Sequence, residues 1–355
     1  MYYAVGHLVR RSADEAWLKH ASSHSKNSEG DGLRLFIFLI ICVLVVVVPC
    51  AVAAVDYTYG QVVGTLAAVE DSNPDIYIRI DNDPVHPDPT DPTKPFVPRG
   101  ADEASFSQPP RPIQPITSGL RSAVRHLRAR AGFWSRFRGL SIHLCITVPQ
   151  VFIMSLVSSH VILSFLILTS LNLLFAPLHM AWVHIVISEP STKRFYQRIP
   201  SMRTWIKIAP AIALRDVSGT AVYFVAVAIA RNLGEHGQSS TLSPAAFGYG
   251  IPALLAWVVQ IPAQVIFVRV AASMLPEEDE TIVPFDRSFG GKVQTEIMGG
   301  SGHIGILDAW RTFDWPARVR YGKVIIKTFV IEVFMLTAFF MAIFPMSWAL
   351  KNKNS

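Results

Sequence analysis

Residues 140–188 read LSIHLCITVPQVFIMSLVSSHVILSFLILTSLNLLFAPLHMAWVHIVIS, forty-nine residues without a single Lys, Arg, Asp or Glu. A membrane-spanning helix needs about 20 mostly apolar residues, because lipid offers no partner to a backbone N–H or C=O left unpaired. This stretch is too long for one span. The polar cluster Ser158, Ser159, His160 falls inside it and predicts a hairpin of two helices, about 140–159 and 162–188. Outward from the hairpin, residues 35–55 (LFIFLIICVLVVVVPCAVAAV), 208–231, 248–272 and 324–347 have the same character, which gives six spans.

Composition agrees. Of 355 residues, 51% are hydrophobic and 16% charged, where a soluble domain carries about 25% charged. The mean hydropathy of +0.35 excludes an ordinary soluble globular protein. The expected fold class is all-α: a polytopic membrane domain over 34–348, with a polar tail at 1–33, a Pro/Asp-rich loop insert at 56–115 and a short tail at 349–355. The first span lies too far from Met1 and is too long for a cleaved signal peptide, so it is expected to be retained. The three cysteines, Cys42, Cys50 and Cys145, form no C-x-x-C pair, which excludes a disulfide scaffold and a cysteine-based zinc site.

The net charge of +6 does not point to nucleic acid. Twenty-one Lys and Arg fall in the loops after the first, third and fifth spans, against eight in the tails and the remaining loops. By the positive-inside rule the three basic loops face the cytosol, or the matrix of a mitochondrion, and both termini face the other side.

The odd spans share a proline mark: Pro49-CAVAAVDYT, Pro177-LHMAWVHIVIS and Pro262-AQVIFVRVAAS. The loops repeat as well, since SGLRSAVRHLRARAGFWSRFRGL (118–140) parallels IGILDAWRTFDWPARVRYGKV (304–324). Each is a Gly, an amphipathic helix, a break and an Arg-rich entry to the next span. Such helices suit the headgroup layer. Three degenerate two-helix repeats are the expected architecture, with loop helices 118–138 and 304–320 also offering a surface to a membrane-protein partner.

This pattern resembles the mitochondrial carrier family. FRGLSIHLCITVPQVFIMS (137–155) is similar to that family's second helix, and ALRDVSGTAVYF (213–224) to its fourth. The resemblance implies a pseudo-threefold bundle that binds a small solute at its centre. It also implies that Arg215 and Asp216 are the contact pair for a small carboxylate or amphoteric solute. The family's P-x-[DE]-x-x-[KR]-x-[RK] ending is not kept. The acidic position holds Ala51, His179 and Gln264, and the first basic position Ala54, Trp182 and Phe267. Three gate salt bridges therefore cannot form. PITSGLRSAVRHLRARAG (115–132), AWVHIVISEPSTKRFY (181–196) and PEEDETIVPFDRSFGG (276–291) also resemble a group of fungal membrane proteins often named ubiquitin carrier protein. The chain has no H-P-N tripeptide, so ubiquitin conjugation is not expected.

Charge inside a span is costly and marks function by default. Arg215 and Asp216 have a structural alternative, a salt bridge to a neighbouring helix, with Lys327, Glu332 and Arg269 as further members of an intramembrane charge network. His143, His160, His179 and His184 are scattered and predict neither metal nor another cofactor. Gly300, Gly302 and Gly305 spell G-x-G-x-x-G, but no strand precedes them, so a linker is expected rather than a dinucleotide site. Calcium binding by the Asp-rich loop lacks the EF-hand pattern. The acidic run 276–289 is expected to pair with the basic loop helix. A non-enzymatic carrier-like membrane protein, either a divergent solute carrier or an adaptor, is the expected function. The alternative is a membrane enzyme of lipid metabolism, and a mitochondrial membrane is favoured over the endoplasmic reticulum or plasma membrane.

Overall fold

The computed structural model describes residues 32, 35–72, 115–157, 161–191, 193–236, 251–293 and 300–352. The tail before them, the Pro/Asp-rich loop from 73 to 114, the hairpin cluster at 158–160 and the last three residues lie outside the described residues. Among the described residues there is no β-strand, only an isolated bridge between Ser188 and Thr281.

In chain order the helices are α1 (Leu35–Val69), α2 (Leu120–Ala131), α3 (Leu140–Val157), α4 (Val161–Leu174), α5 (Ala176–Ile187), α6 (Met202–His236), α7 (Ile251–Ser273), α8 (Ile306–Arg311) and α9 (Trp315–Asn352). Among the described residues five helices are long and apolar enough to cross a membrane, and six spans result if α4 and α5 count as one bent span. The described residues are all-helical, and the chain is an integral membrane protein.

It divides into two units, residues 57–326 and residues 1–56 with 327–355. In the second, α1 and α9 expose large apolar side chains such as Phe36, Val46, Phe334 and Phe344. Outward-facing apolar residues on helices with no polar stripe are what lipid contact requires. The unit 57–326 has two kinds of surface. Exposed Val151, Phe152, Leu166 and Val225 lie on α3, α4 and α6, while a close-packed core gathers the end of α1 (Val62, Val63, Leu66), α5 (Met180, Val183, Ile187) and the second half of α7 (Val265, Phe267, Val270). The end of α1 packs on α5 and on α7, and α5 packs on α7, so these three helix ends touch pairwise.

Several boundaries differ from the sequence reading. The first span does not end at 55; α1 continues to Val69 through a π-helical segment, Asp56–Val63. QVVGTLAAV is apolar and buried, and assigning it to the loop gave too much weight to the Pro/Asp run that follows. The 162–188 span is broken at Phe175, and its halves diverge by 59°. Pro177 opens α5, where its missing N–H costs nothing, but its ring cannot be continued from a straight α4. The loop helix 304–320 is also divided: α8 ends at Arg311, and residues from Trp315 belong to the last span. The proline mark holds for two helices of three. Pro177 stands ten residues before the end of α5 at Ile187 and Pro262 eleven before the end of α7 at Ser273. Pro49 stands twenty before Val69. At the matching place α1 carries its π-helical turn instead.

Candidate functional site

The break between α4 and α5 needs partners for the carbonyls it frees. Trp205 Nε1 donates to Leu173 O across the break. One residue earlier, Asn172 is buried and becomes the hub of a polar cluster. Its Oδ1 accepts from Gln150 Nε2 of α3 (2.7 Å) and from His179 Nε2 of α5 (3.0 Å). The Asn172 side chain also reaches the Asp216 carboxyl on α6.

Arg215 and Asp216 occupy this site together. Arg215 Nε donates to Asp216 Oδ1 at 2.9 Å, and the two side chains are 10% and 9% exposed. The guanidinium carbon lies 4.8 Å from the centre of the Phe267 ring of α7, and His179 meets the same ring edge-on at 6.3 Å. A cation over a ring face gains about 0.5–2 kcal/mol. That contact holds the guanidinium plane while Nε stays on Asp216. Asp216 Oδ2 is buried and accepts no hydrogen bond. Helices α4, α5, α6 and α7 thus meet at an ion pair whose Asp216 Oδ2, among the described residues, accepts no hydrogen bond. Such a pair is built to be completed by something else, or it carries a standing cost.

Beside this site the helix ends are held by arginines. Arg138, at the entry to α3, donates to Ile185 O (2.9 Å) and Ser188 O (2.5 Å) at the end of α5. Arg320, at the entry to the last span, donates to Glu70 O (2.5 Å) at the end of α1. Orphan carbonyls at a helix C-terminus favour a cation there. The Glu70 side chain in turn accepts from Ile116 N (2.6 Å), Thr117 N (3.0 Å) and the Thr117 hydroxyl. Tyr57 donates its hydroxyl to Arg138 O and accepts from Trp182 Nε1 at 3.2 Å. The carboxylates of the acidic run after α7 go not to the basic loop helix, as expected, but to the loop after α5, Asp279 to Arg198 (3.4 Å) and Glu278 to Lys193 (3.2 Å); the run meets the loop helix through a backbone carbonyl, Ile282 O, at His126 Nε2 (2.9 Å).

Of the charged residues singled out from sequence, Arg215 and Asp216 are brought together, on each other. Arg269 serves elsewhere: its guanidinium donates to Ala68 O and to Thr312 O (3.2 Å each) and to Thr312 Oγ1 (3.0 Å), between the rings of Phe289 and Phe313. It caps the end of α1 and α8. Lys327 and Glu332 belong to the other unit, where Lys327 is exposed and Glu332 half-buried. Sequence reasoning did not find Gln150 and Asn172. Each is a lone amide in an apolar run, and the signal available was a buried-depth polar residue next to a proline-broken helix. Among the described residues no group of His, Cys, Asp and Glu is placed to hold a metal ion. Compared with family models, curated proteins and solved structures, the chain matches none.

Proposed function

We propose that the protein is a non-enzymatic, carrier-like membrane protein that binds a small carboxylate or amphoteric solute at the Arg215–Asp216 pair. The observation that carries this reading is the ion pair's incomplete state: among the described residues the buried Asp216 Oδ2 accepts no hydrogen bond, beside a helix break. Discontinuous helices with polar groups at membrane depth are where transporters bind their cargo. A planar fork of Arg donors matches a carboxylate, and a carboxylate matches an ammonium.

The three-repeat arrangement belongs to this proposal. It is supported by the pairwise contact of the ends of α1, α5 and α7. It is also supported by Arg138 and Arg320, which each stand at the entry to an even span and each hold the end of an odd one. At the positions where the carrier resemblance expects gate charges, Trp182 bonds Tyr57 and Phe267 stacks on Arg215. Aromatic packing replaces the salt bridges there. A mitochondrial membrane, with the basic loops on the matrix side, completes the reading.

The test is uptake into proteoliposomes across a panel of labelled carboxylates and zwitterions. Saturable uptake that Arg215→Ala removes is expected. Uptake equal to that of empty vesicles over the whole panel would sink the carrier reading. An adaptor role is the second reading, favoured by the exposed Phe133 and Trp134 (58% and 72%) beside the Arg-rich α2. It predicts a stable partner cross-linked at 118–138, and purification without any such partner counts against it.

A further inference from the structure

The way charge is balanced at the site restricts the form in which cargo enters. This inference rests on the carrier reading above. At the site one guanidinium faces one carboxylate, and both are about nine-tenths buried. The groups around them bring no net charge. From α4 comes Asn172, from α5 His179 against Asn172 Oδ1, from α7 the Phe267 ring, and from α3 the Gln150 amide behind Asn172. His143 of α3 stacks further off, between Tyr57 and Trp182, at 5.1 and 6.2 Å.

A carboxylate that docks on Arg215 must share or take the guanidinium from Asp216. Two carboxylates then face one cation in a site with little water. Leaving that extra negative charge uncompensated is far more costly than neutralising it. The acceptor for a neutralising proton is already present, since Asp216 Oδ2 is buried and accepts no hydrogen bond. A zwitterion solves the same problem differently, because its ammonium can donate to Oδ2 while its carboxylate takes the Arg215 fork.

We infer that the site admits only net-neutral cargo: a carboxylate enters with one proton, which passes from water to Asp216 Oδ2, and a zwitterion enters with none. The proton leaves hydronium, one O–H bond forms on the carboxyl, and the total charge of the site stays at zero in both cases.

The experiment uses the purified full chain in detergent, with butyrate and alanine as probes, by calorimetric titration between pH 6 and 8 in buffers of different ionisation enthalpy. One proton taken up per butyrate bound is expected, with butyrate affinity rising about tenfold for each unit fall in pH, since one linked proton changes a binding constant by that factor. Alanine should bind with no proton uptake and a flat pH profile. Asp216→Asn should bind butyrate with no proton and no pH dependence, while Asp216→Glu restores both. Butyrate binding without a proton in the natural chain overturns the inference and leaves the carrier reading standing. Proton uptake that survives in Asp216→Asn overturns it too, because the proton then goes elsewhere. Failure of both probes to bind a monodisperse protein overturns the inference, and extending that failure to the full solute panel overturns the carrier reading.

Discussion

Gly139→Ala is the substitution whose cost the geometry defines best. Gly139 has φ of +72°, and a Cβ built on it would stand 2.9 Å from Trp182 Cδ1 and 3.1 Å from Nε1. A left-handed backbone costs a non-glycine residue about 1–2 kcal/mol. The clash adds to that, because Trp182 is buried, bonds Tyr57 and lies beside His143, so it cannot swing away freely. Overpacking of this kind costs about 1–3 kcal/mol. Gly291 supplies an internal control: its φ is +78°, but nothing lies within 4 Å of its Cβ position. Gly291→Ala should therefore pay only the backbone term. Thermal unfolding of the detergent-solubilised protein, followed by tryptophan fluorescence, should place Gly139→Ala about 1–3 kcal/mol below Gly291→Ala, roughly 1–4 °C in Tm for a chain of 355 residues. Equal stability of the two variants would show that Trp182 does not cover Gly139, and the junction of α1, α3 and α5 would have to be redrawn.

Glu70 and Arg320 act as one unit at the end of α1, so Glu70→Ala and Arg320→Ala should each cost about 3–5 kcal/mol, and the double variant well less than the sum. A double-mutant cycle on Tm checks this, and simple additivity would dissociate the pair. In the loop after α7, partial burial raises the Asp286 carboxyl, but bonds from Gly290 N and from Ser288 N and Oγ outweigh that and hold its pKa below the usual value. A depressed folded pKa means the turn is fully stabilised above the unfolded aspartate value of about 3.9 and loosens as pH falls through the folded one. Hydrogen exchange at Ser288 and Gly290, corrected for intrinsic rates, should show protection lost on acidification in the natural chain. Asp286→Asn should show no such dependence.

The apolar runs made the fold class and most spans readable, because lipid imposes length and composition directly on sequence. Arg215 and Asp216 were readable for the same reason, charge at membrane depth being conspicuous. What escaped were features created by packing. Residues 57–69 have the composition of a buried helix but follow a span directly, so no local mark separates lipid-facing from protein-facing turns. Pro177 signals a break, yet the 59° bend depends on Trp205 and Asn172 arriving from elsewhere to satisfy it. Arg269 looked like Arg215 in sequence, an arginine in an apolar helix, and only the positions of Ala68 and Thr312 show that it caps helix ends. Pro49 matched the other two prolines in spacing to an assumed helix end that lies fourteen residues short of the real one at Val69.

Those two arginines allow the sharpest test of where cargo binds, since they are about equally buried, at 8% and 6%. Equilibrium binding of labelled butyrate and alanine should be measured on the purified natural chain, Arg215→Ala and Arg269→Lys, each confirmed monodisperse. Loss of binding in Arg215→Ala, with Arg269→Lys unchanged, is the predicted result. Binding that persists undiminished in Arg215→Ala would place the solute elsewhere and contradict the account.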